Sequence, residues 1–338
     1  MSHNYQSYSA LIRAVKDRAK SQGTLSSRTE KDFRFSRLLY RIFTYAPEDF
    51  VLKGGQSMLA RIPDARTTRD IDFSLSKDKG LREGISLLRE VAGMTGHDFL
   101  QFEYVKEEEI SGQDISLAYS GRRIHFDVIA DEVKVDSVQV DLVAGTVITD
   151  IPTLSTPQNQ ITVSGLPVVD YLLYPVVDQI ADKLCAIFET HHSGSSSRIR
   201  DLADLVLISK NETFDAAKLI HAIDSECKRR GMEKPTSFAI PKTWTSFGKV
   251  IRPHSTTDFP SVEESVKLVG TMLNPILSEE IACGAWNPNS LEWTDSTSSE
   301  FIDKLNEAQE AVAGEEWSDE DILTEVMTVR YGRKRVEE

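Results

Sequence analysis

An α+β fold is what this 338-residue sequence predicts: a small mixed sheet carrying helices, followed by a mainly helical part. Three observations predict it. Stretches with period-two alternation, such as Asp70-Ile71-Asp72-Phe73 and Arg123–Ile129, gather before residue 150. Amphipathic helical stripes stand among them and dominate afterwards. Between the two regimes, residues 144–167 carry Gly145, Pro152, Pro157, Gly165 and Pro167 among Ser and Thr, which reads as an irregular connection. The expected division is therefore 1–150 for N-terminal helices and sheet core, 151–300 for a helical lobe, and 301–338 for an acidic helical tail.

Residues 6–46 read as helices. Leu11, Ile12 and Val15 give one apolar stripe, and Phe35, Leu38, Leu39, Ile42 and Phe43 a stronger one, with a polar Ser21–Ser27 loop between. A strand follows at Phe50-Val51-Leu52, then Lys53-Gly54-Gly55, a short helix with Met58, Leu59 and Ile62 on one side, and a turn at Pro63-Asp64-Ala65. The Asp70–Phe73 strand comes next, then an amphipathic helix at Leu81–Met94. Strands are expected at Phe99–Val105, Ile115–Tyr119, Arg123–Ile129 and Val138–Val143, with charged Asp131–Asp136 between the last two. Val176–His192 is a helix with the stripe Val176, Val177, Ile180, Ala181, Leu184, Ile187 and Phe188; Lys183 borders that stripe and Asp182 is expected to point away. After a polar loop with His191 and His192, Arg198-Ile199-Arg200-Asp201 opens a helix running through Ile208. In it Asp201 borders the apolar side, and Asp204 is expected to turn further out. Phe214–Gly231 is amphipathic and ends in Lys228-Arg229-Arg230, which with Lys234 reads as a helix-capping cluster or a phosphate patch. Further helices are expected within Pro241–Ser278, Phe301–Ala313 and Ser318–Val329, the last capped by Ser318 with Asp321.

Composition excludes several classes. No apolar run is long enough to span a membrane, and no secretory leader is expected at Met1–Tyr5. Cys185, Cys227 and Cys283 are odd in number and in no metal-ligand spacing, so reduced thiols of a cytoplasmic protein are expected. The net charge of −14 argues at first against a nucleic-acid partner, but −11 of it lies in residues 279–338. The rest of the chain carries only −3 and has local basic clusters, so RNA stays open as a partner.

The chemistry concentrates in Val51–Ser74. Asp70 and Asp72 share one face of a strand, about 7 Å apart, and repel unless a cation sits between them. That suits Mg²⁺, which takes one or two carboxylates and leaves room for substrate phosphates. Gly54 and Gly55 let the backbone approach a phosphate at a helix N-terminus. A third carboxylate from a neighbouring strand would complete the site, and Asp127 and Asp141 both sit at alternating positions among apolar neighbours.

Lys53-Gly54-Gly55 and the Arg66-Thr67-Thr68-Arg69-Asp70-Ile71-Asp72 run resemble the AbiEii/MenT family of nucleotidyltransferase toxins from bacterial toxin–antitoxin and abortive-infection systems, most clearly over about residues 35–210. The resemblance implies a DNA polymerase β-like nucleotidyltransferase core with a helical C-terminal part. It implies an active-site lysine at Lys183, in its Asp-Lys-Leu-Cys-Ala setting, an aspartate from Arg-Asp-x-x-Asp-Leu, for which Asp201 is preferred to Asp204, and Asp141 as third carboxylate from its Val-Asp-Leu-Val-x-Gly context. Lys53, Asp70, Asp72, Lys183 and Asp201 are thus the expected catalytic group. Lys53, Gly54, Gly55, Ser57, Arg66 and Lys183 are expected at the nucleotide, and Asp70, Asp72 and Asp141 at Mg²⁺. One departure is visible: the wider superfamily favours Gly-Ser or Gly-Gly-Ser/Thr at the turn, whereas Gln56 follows Gly55 here and Ser57 comes one later. The implied activity is transfer of NMP from an NTP, in some members a pyrimidine nucleotide, to the 3′ end of tRNA, with a separate co-encoded antitoxin. Nucleotidyl or phosphoryl transfer to a protein or small-molecule acceptor, or a non-catalytic nucleotide-binding interaction module, are the competing expectations.

Overall fold

The computed structural model describes residues 5–23, 29–62, 65, 68–76, 79–110, 120–189, 198–241, 244 and 260–294. Arg66, the strand expected at Ile115–Tyr119, the His191-His192 loop and the tail 301–338 lie outside them. Two helices come first, α1 (Tyr8–Ser21) and α2 (Thr29–Tyr45). Ser7 caps α1, its side chain accepting from the Ala10 amide at 3.2 Å. Then follow β1 (Phe50–Lys53), α3 (Gly54–Arg61), β2 (Ile71–Leu75) and α4 (Leu81–Ala92). Three longer strands succeed them, β3 (Leu100–Glu109), β4 (Ser120–Ala130) and β5 (Val133–Ala144).

The sheet does not end near residue 150. Two short strands, β6 (Thr153–Ser155) and β7 (Tyr171–Leu173), pair with each other, and β7 joins β1 in parallel. The result is a seven-stranded mixed sheet of order β3-β4-β5-β2-β1-β7-β6. Residues 144–167, expected as an irregular connection, therefore contain an edge strand. Three residues with mixed polarity give no alternation long enough to detect.

The β4–β5 connection is also tighter than expected. Asp131 (φ 48°) and Glu132 (φ 63°) are consecutive left-handed residues, the backbone of a two-residue type I′ hairpin. Strand β5 thus starts at Val133, inside the stretch expected as a charged link. Its exposed end carries a cross-strand ion pair, Lys134 to Asp127 at 2.7 Å. Such charged pairs hide a strand from apolar-pattern reading.

One face of the sheet is apolar. Leu52, Ile71, Phe73, Val140, Leu142, Ile124 and Phe126 pack there under α1, α2 and α4 in one core cluster. Beneath it, Arg37 and Arg41 close on the buried carboxylate of Asp98 at 2.7–2.8 Å. The opposite face meets the helical part, which comprises α5 (Val176–Phe188), α6 (Ile199–Asn211), α7 (Ala216–Arg230) and α8 (Val262–Leu277). A small hairpin, β8 (Ala285–Asn287) with β9 (Glu292–Thr294), follows and buries Trp286. Gly231 ends α7 in the left-handed conformation (φ 63°), and a Ser261–Glu264 capping box starts α8. Helix α3 joins the two halves: Ala60 belongs to the first core, while Met58, Leu59 and Ile62 belong to a second one built mainly by α5–α8. No helix among the described residues is long and apolar enough to cross a membrane. All three cysteines are free thiols, Cys185 and Cys227 buried and Cys283 exposed.

Candidate active site

The polar row that crosses the sheet follows from strand register. Lys53 pairs with Asp72, Asp72 with Asp141, and Asp141 with Arg123. Register partners point to the same face. Their neighbours Leu52, Ile71, Phe73 and Val140 fill the first core, so the row faces the helical part.

Register also separates the two candidates for third carboxylate. Asp141 stands beside Asp72. Asp127 pairs instead with Ser137, four residues back along β5, and is occupied by Lys134 at 2.7 Å and the Ser137 hydroxyl at 3.3 Å. Asp141 itself receives a two-pronged ion pair from Arg123, at 2.8 and 2.7 Å.

Asp70 lies just before β2, and Thr68 fixes it there. The Thr68 hydroxyl donates to the Asp70 carbonyl at 2.6 Å and accepts from its amide at 3.3 Å. Asp72 is the strained member of the group. Burial pushes its carboxyl well above the ordinary range, the Asp70 and Asp141 carboxylates push it further, and Lys53 and Lys183 only partly oppose them.

Gly54 is the reason the glycine turn and the aspartate strand can touch. Its φ is +64°, and a Cβ there would lie 2.0 Å from Oδ2 of Asp72. Gly55 is similarly tight against the Thr68 side chain, where a Cβ would come within 2.8 Å. Gly54→Ala therefore meets both a backbone and a steric penalty. The left-handed backbone alone costs an alanine about 1–2 kcal/mol. We expect a lower Tm and loss of activity, with Gly80→Ala, where nothing lies within 4 Å, as the control without a clash. Unaltered melting and activity in Gly54→Ala would contradict this packing.

Helix α5 closes the site from the other side with Gln179, Asp182 and Lys183, spaced i, i+3, i+4 on one facet. Gln179 donates to the Gly54 carbonyl at 3.2 Å, and its own side-chain oxygen is buried without a partner among the described residues. Asp182 does not point away from the core. Its Oδ2 lies 3.6 Å from the Lys53 ammonium, and Oδ1 accepts from Arg230 at 2.5 Å. Burial raises its pKa, but Lys53, Arg230 and Lys183 outweigh that and hold the carboxyl below the ordinary range.

Lys183 is buried. It donates to Asp204 at 2.6 Å and to Asp201 at 3.1 Å. Asp204, expected to turn outward, is the deeper of the two at 0 % exposure against 9 % for Asp201. Helix α6 is buried from Asp201 through Ser209, so it has no outward side in that stretch. Arg230 likewise is no capping or surface residue. It is 4 % exposed and is held by Glu226 and Glu189, each at 2.6 Å, as well as Asp182. Ser57 is fully buried in α3 and its hydroxyl has no hydrogen-bond partner among the described residues.

The structure thus gathers Lys53, Gly54, Gly55, Asp70, Asp72, Asp141, Lys183 and Asp201 around one face. Arg123, Gln179 and Asp182 join them unanticipated, and Arg230, expected in a capping cluster or phosphate patch, joins through Asp182. Among the described residues, no three His, Cys, Asp or Glu side chains are closed into a metal-holding group. The donor chemistry nonetheless fits a divalent cation, because a half-buried carboxyl with two like-charged neighbours is relieved by one.

Backbone donors for phosphates on one side and crowded carboxylates for a cation on the other are what transfer from a nucleoside triphosphate requires, and the class of protein is a nucleotidyltransferase. The sequence profile of the family described as "Nucleotidyl transferase AbiEii toxin, Type IV TA system" matches residues 37–269. The chain belongs to that family: it is a nucleotidyltransferase toxin of a type IV toxin–antitoxin system, with an NTP substrate and an antitoxin partner implied. Solved structures similar to it include MenT4, a nucleotidyltransferase toxin from Mycobacterium tuberculosis H37Rv, at 16 % identity and TM-score 0.46, over 96 % of this chain and 99 % of that one. JHP933 from Helicobacter pylori is similar at 14 % identity and TM-score 0.40, over 76 % of this chain and 94 % of that one. No curated protein sequence matches.

Proposed function

We propose that the protein transfers a nucleoside monophosphate, a pyrimidine nucleotide foremost, from an NTP to the 3′ end of tRNA, blocking aminoacylation and translation. The observation that carries the reading is the contact between the Gly54 turn and the Asp72 carboxylate, which sets a phosphate cradle against a cation site. Asp70 and Asp72 would hold Mg²⁺, with Asp141 able to join by releasing part of its Arg123 pair. Bound there, the cation would neutralise charge on the transferring phosphate and its leaving group.

The chain's own groups do the rest. Amides at the start of α3 bind triphosphate oxygens. Lys53 from the sheet and Lys183 from α5 supply positive charge from opposite sides, and Arg66 is proposed to add to it. Asp201, together with Asp204, orients Lys183.

The test combines purified protein, total tRNA and each of the four α-labelled NTPs, with Mg²⁺ or with EDTA. Label should appear at tRNA 3′ ends with one nucleotide, pyrimidine first, and should vanish with EDTA. Absence of label with all four would sink the proposal.

A further inference from the structure

Lys53 heads the glycine turn, and its ammonium is placed by groups from beyond the sheet. Asp182 of α5 approaches to 3.6 Å, and the Tyr174 ring lies beneath it at 5.1 Å. Asp182 has its two oxygens divided: Oδ2 faces Lys53, while Oδ1 accepts from Nη2 of Arg230 at 2.5 Å. Arg230 is fixed in turn. Its Nε donates to Glu226 and its Nη1 to Glu189, both at 2.6 Å. A guanidinium with three carboxylate partners has little rotational freedom, and its planar fork dictates how Asp182 lies. A chain of charge-assisted contacts therefore runs from the last turn of α7, through α5, to the residue that opens α3.

We propose that Asp182 is the positioning residue of Lys53, and that Arg230 acts one step further back by orienting Asp182. Lys53 is thereby held where the triphosphate meets the Gly54–Gly55 turn. That place beside the triphosphate rests on the nucleotidyltransferase reading; the positioning itself does not. The competing account makes the pair a brace between α5 and α7 with no bearing on Lys53.

Asp182→Asn separates the two, because Arg230 keeps Glu226 and Glu189 and the fold retains its brace. Lys53 reactivity is read first, without nucleotide, by pulse acetylation of the folded protein and mass spectrometry against a surface lysine. Loss of a partly exposed ion pair should speed acetylation of Lys53 roughly threefold. In the transfer assay, KM for the NTP should rise about tenfold with a smaller change in kcat, as misplacement of a phosphate-binding charge predicts. Asp182→Glu should restore part of both, and Arg230→Lys should fall between wild type and Asp182→Asn.

Unchanged Lys53 acetylation in folded Asp182→Asn overturns the proposal, whatever the activity. If Asp182→Asn does not fold, Arg230→Lys carries the same comparison, and wild-type Lys53 reactivity there overturns it equally. If wild type transfers no nucleotide but Lys53 reactivity shifts as stated, the functional reading falls and the positioning stands.

Discussion

Lys183→Met should lower stability by about 3–5 kcal/mol, because it removes the cation from a buried charge cluster and leaves the anions behind. Asp204 is 0 % exposed and reaches Lys183 at 2.6 Å, and Asp201 completes the group at 3.1 Å. A methionine fills the volume of the lysine stem but neutralises nothing. In a chain of this size the loss corresponds to a fall in Tm on the order of 10 °C. Pairing it with Asp204→Leu removes the stranded carboxylate, so the double variant should regain a large part of the loss, since contacting residues are not additive. Neither variant should transfer nucleotide, because stability can be rebuilt from apolar atoms and phosphate neutralisation cannot. Thermal unfolding of the two proteins beside wild type checks the first claim, and label transfer the second. A single variant that melts with wild type would show the cluster is not held by charge. A double variant that recovers activity would remove Lys183 from the chemistry.

The same cluster shows what sequence could and could not convey. Val51–Ser74 was legible because its parts are local: paired glycines, a short helix and period-two aspartates within one stretch. The third carboxylate was not legible from alternation, since Asp127 and Asp141 alternate equally well; the family resemblance favours Asp141, and the Asp72–Asp141 register sets it apart. Asp182 and Asp204 were turned the wrong way by counting from one apolar stripe. That counting assumes the opposite side of a helix meets water. Helices α5 and α6 are buried nearly all round, so their polar facets meet protein. Arg230 looked like a cation answering a helix dipole, since it precedes Gly231. Its partners Glu189 and Asp182 lie 41 and 48 residues away, where no spacing rule reaches. Strands β6 and β7 escaped for the same reason, being three residues each and defined by their pairing. What was readable was periodic or contiguous, and what was missed depends on which elements become neighbours.

Asp72→Asn should abolish transfer without weakening the fold. The carboxyl sits half-buried between the Asp70 and Asp141 charges, and desolvation and both neighbours raise the cost of ionising it. Asparagine keeps the shape, keeps the packing against Gly54, and removes that repulsion. Its Tm should therefore equal wild type or exceed it slightly, the reverse of an ordinary core substitution. Activity should fall on the order of 10³-fold or more, about 4 kcal/mol of lost transition-state stabilisation. Titration with Mn²⁺, followed by its paramagnetic resonance, should show weakened binding independently of turnover. Two further aspartates calibrate the result. Asp127→Asn alters a carboxylate already held by Lys134 and Ser137 and should change activity less than about twofold. Asp141→Asn loosens the Arg123 pair beside Asp72 and should fall between them. The order Asp72, then Asp141, then Asp127 is what the register row requires. An Asp127→Asn protein as inactive as Asp72→Asn would place the catalytic cation on a different part of the sheet.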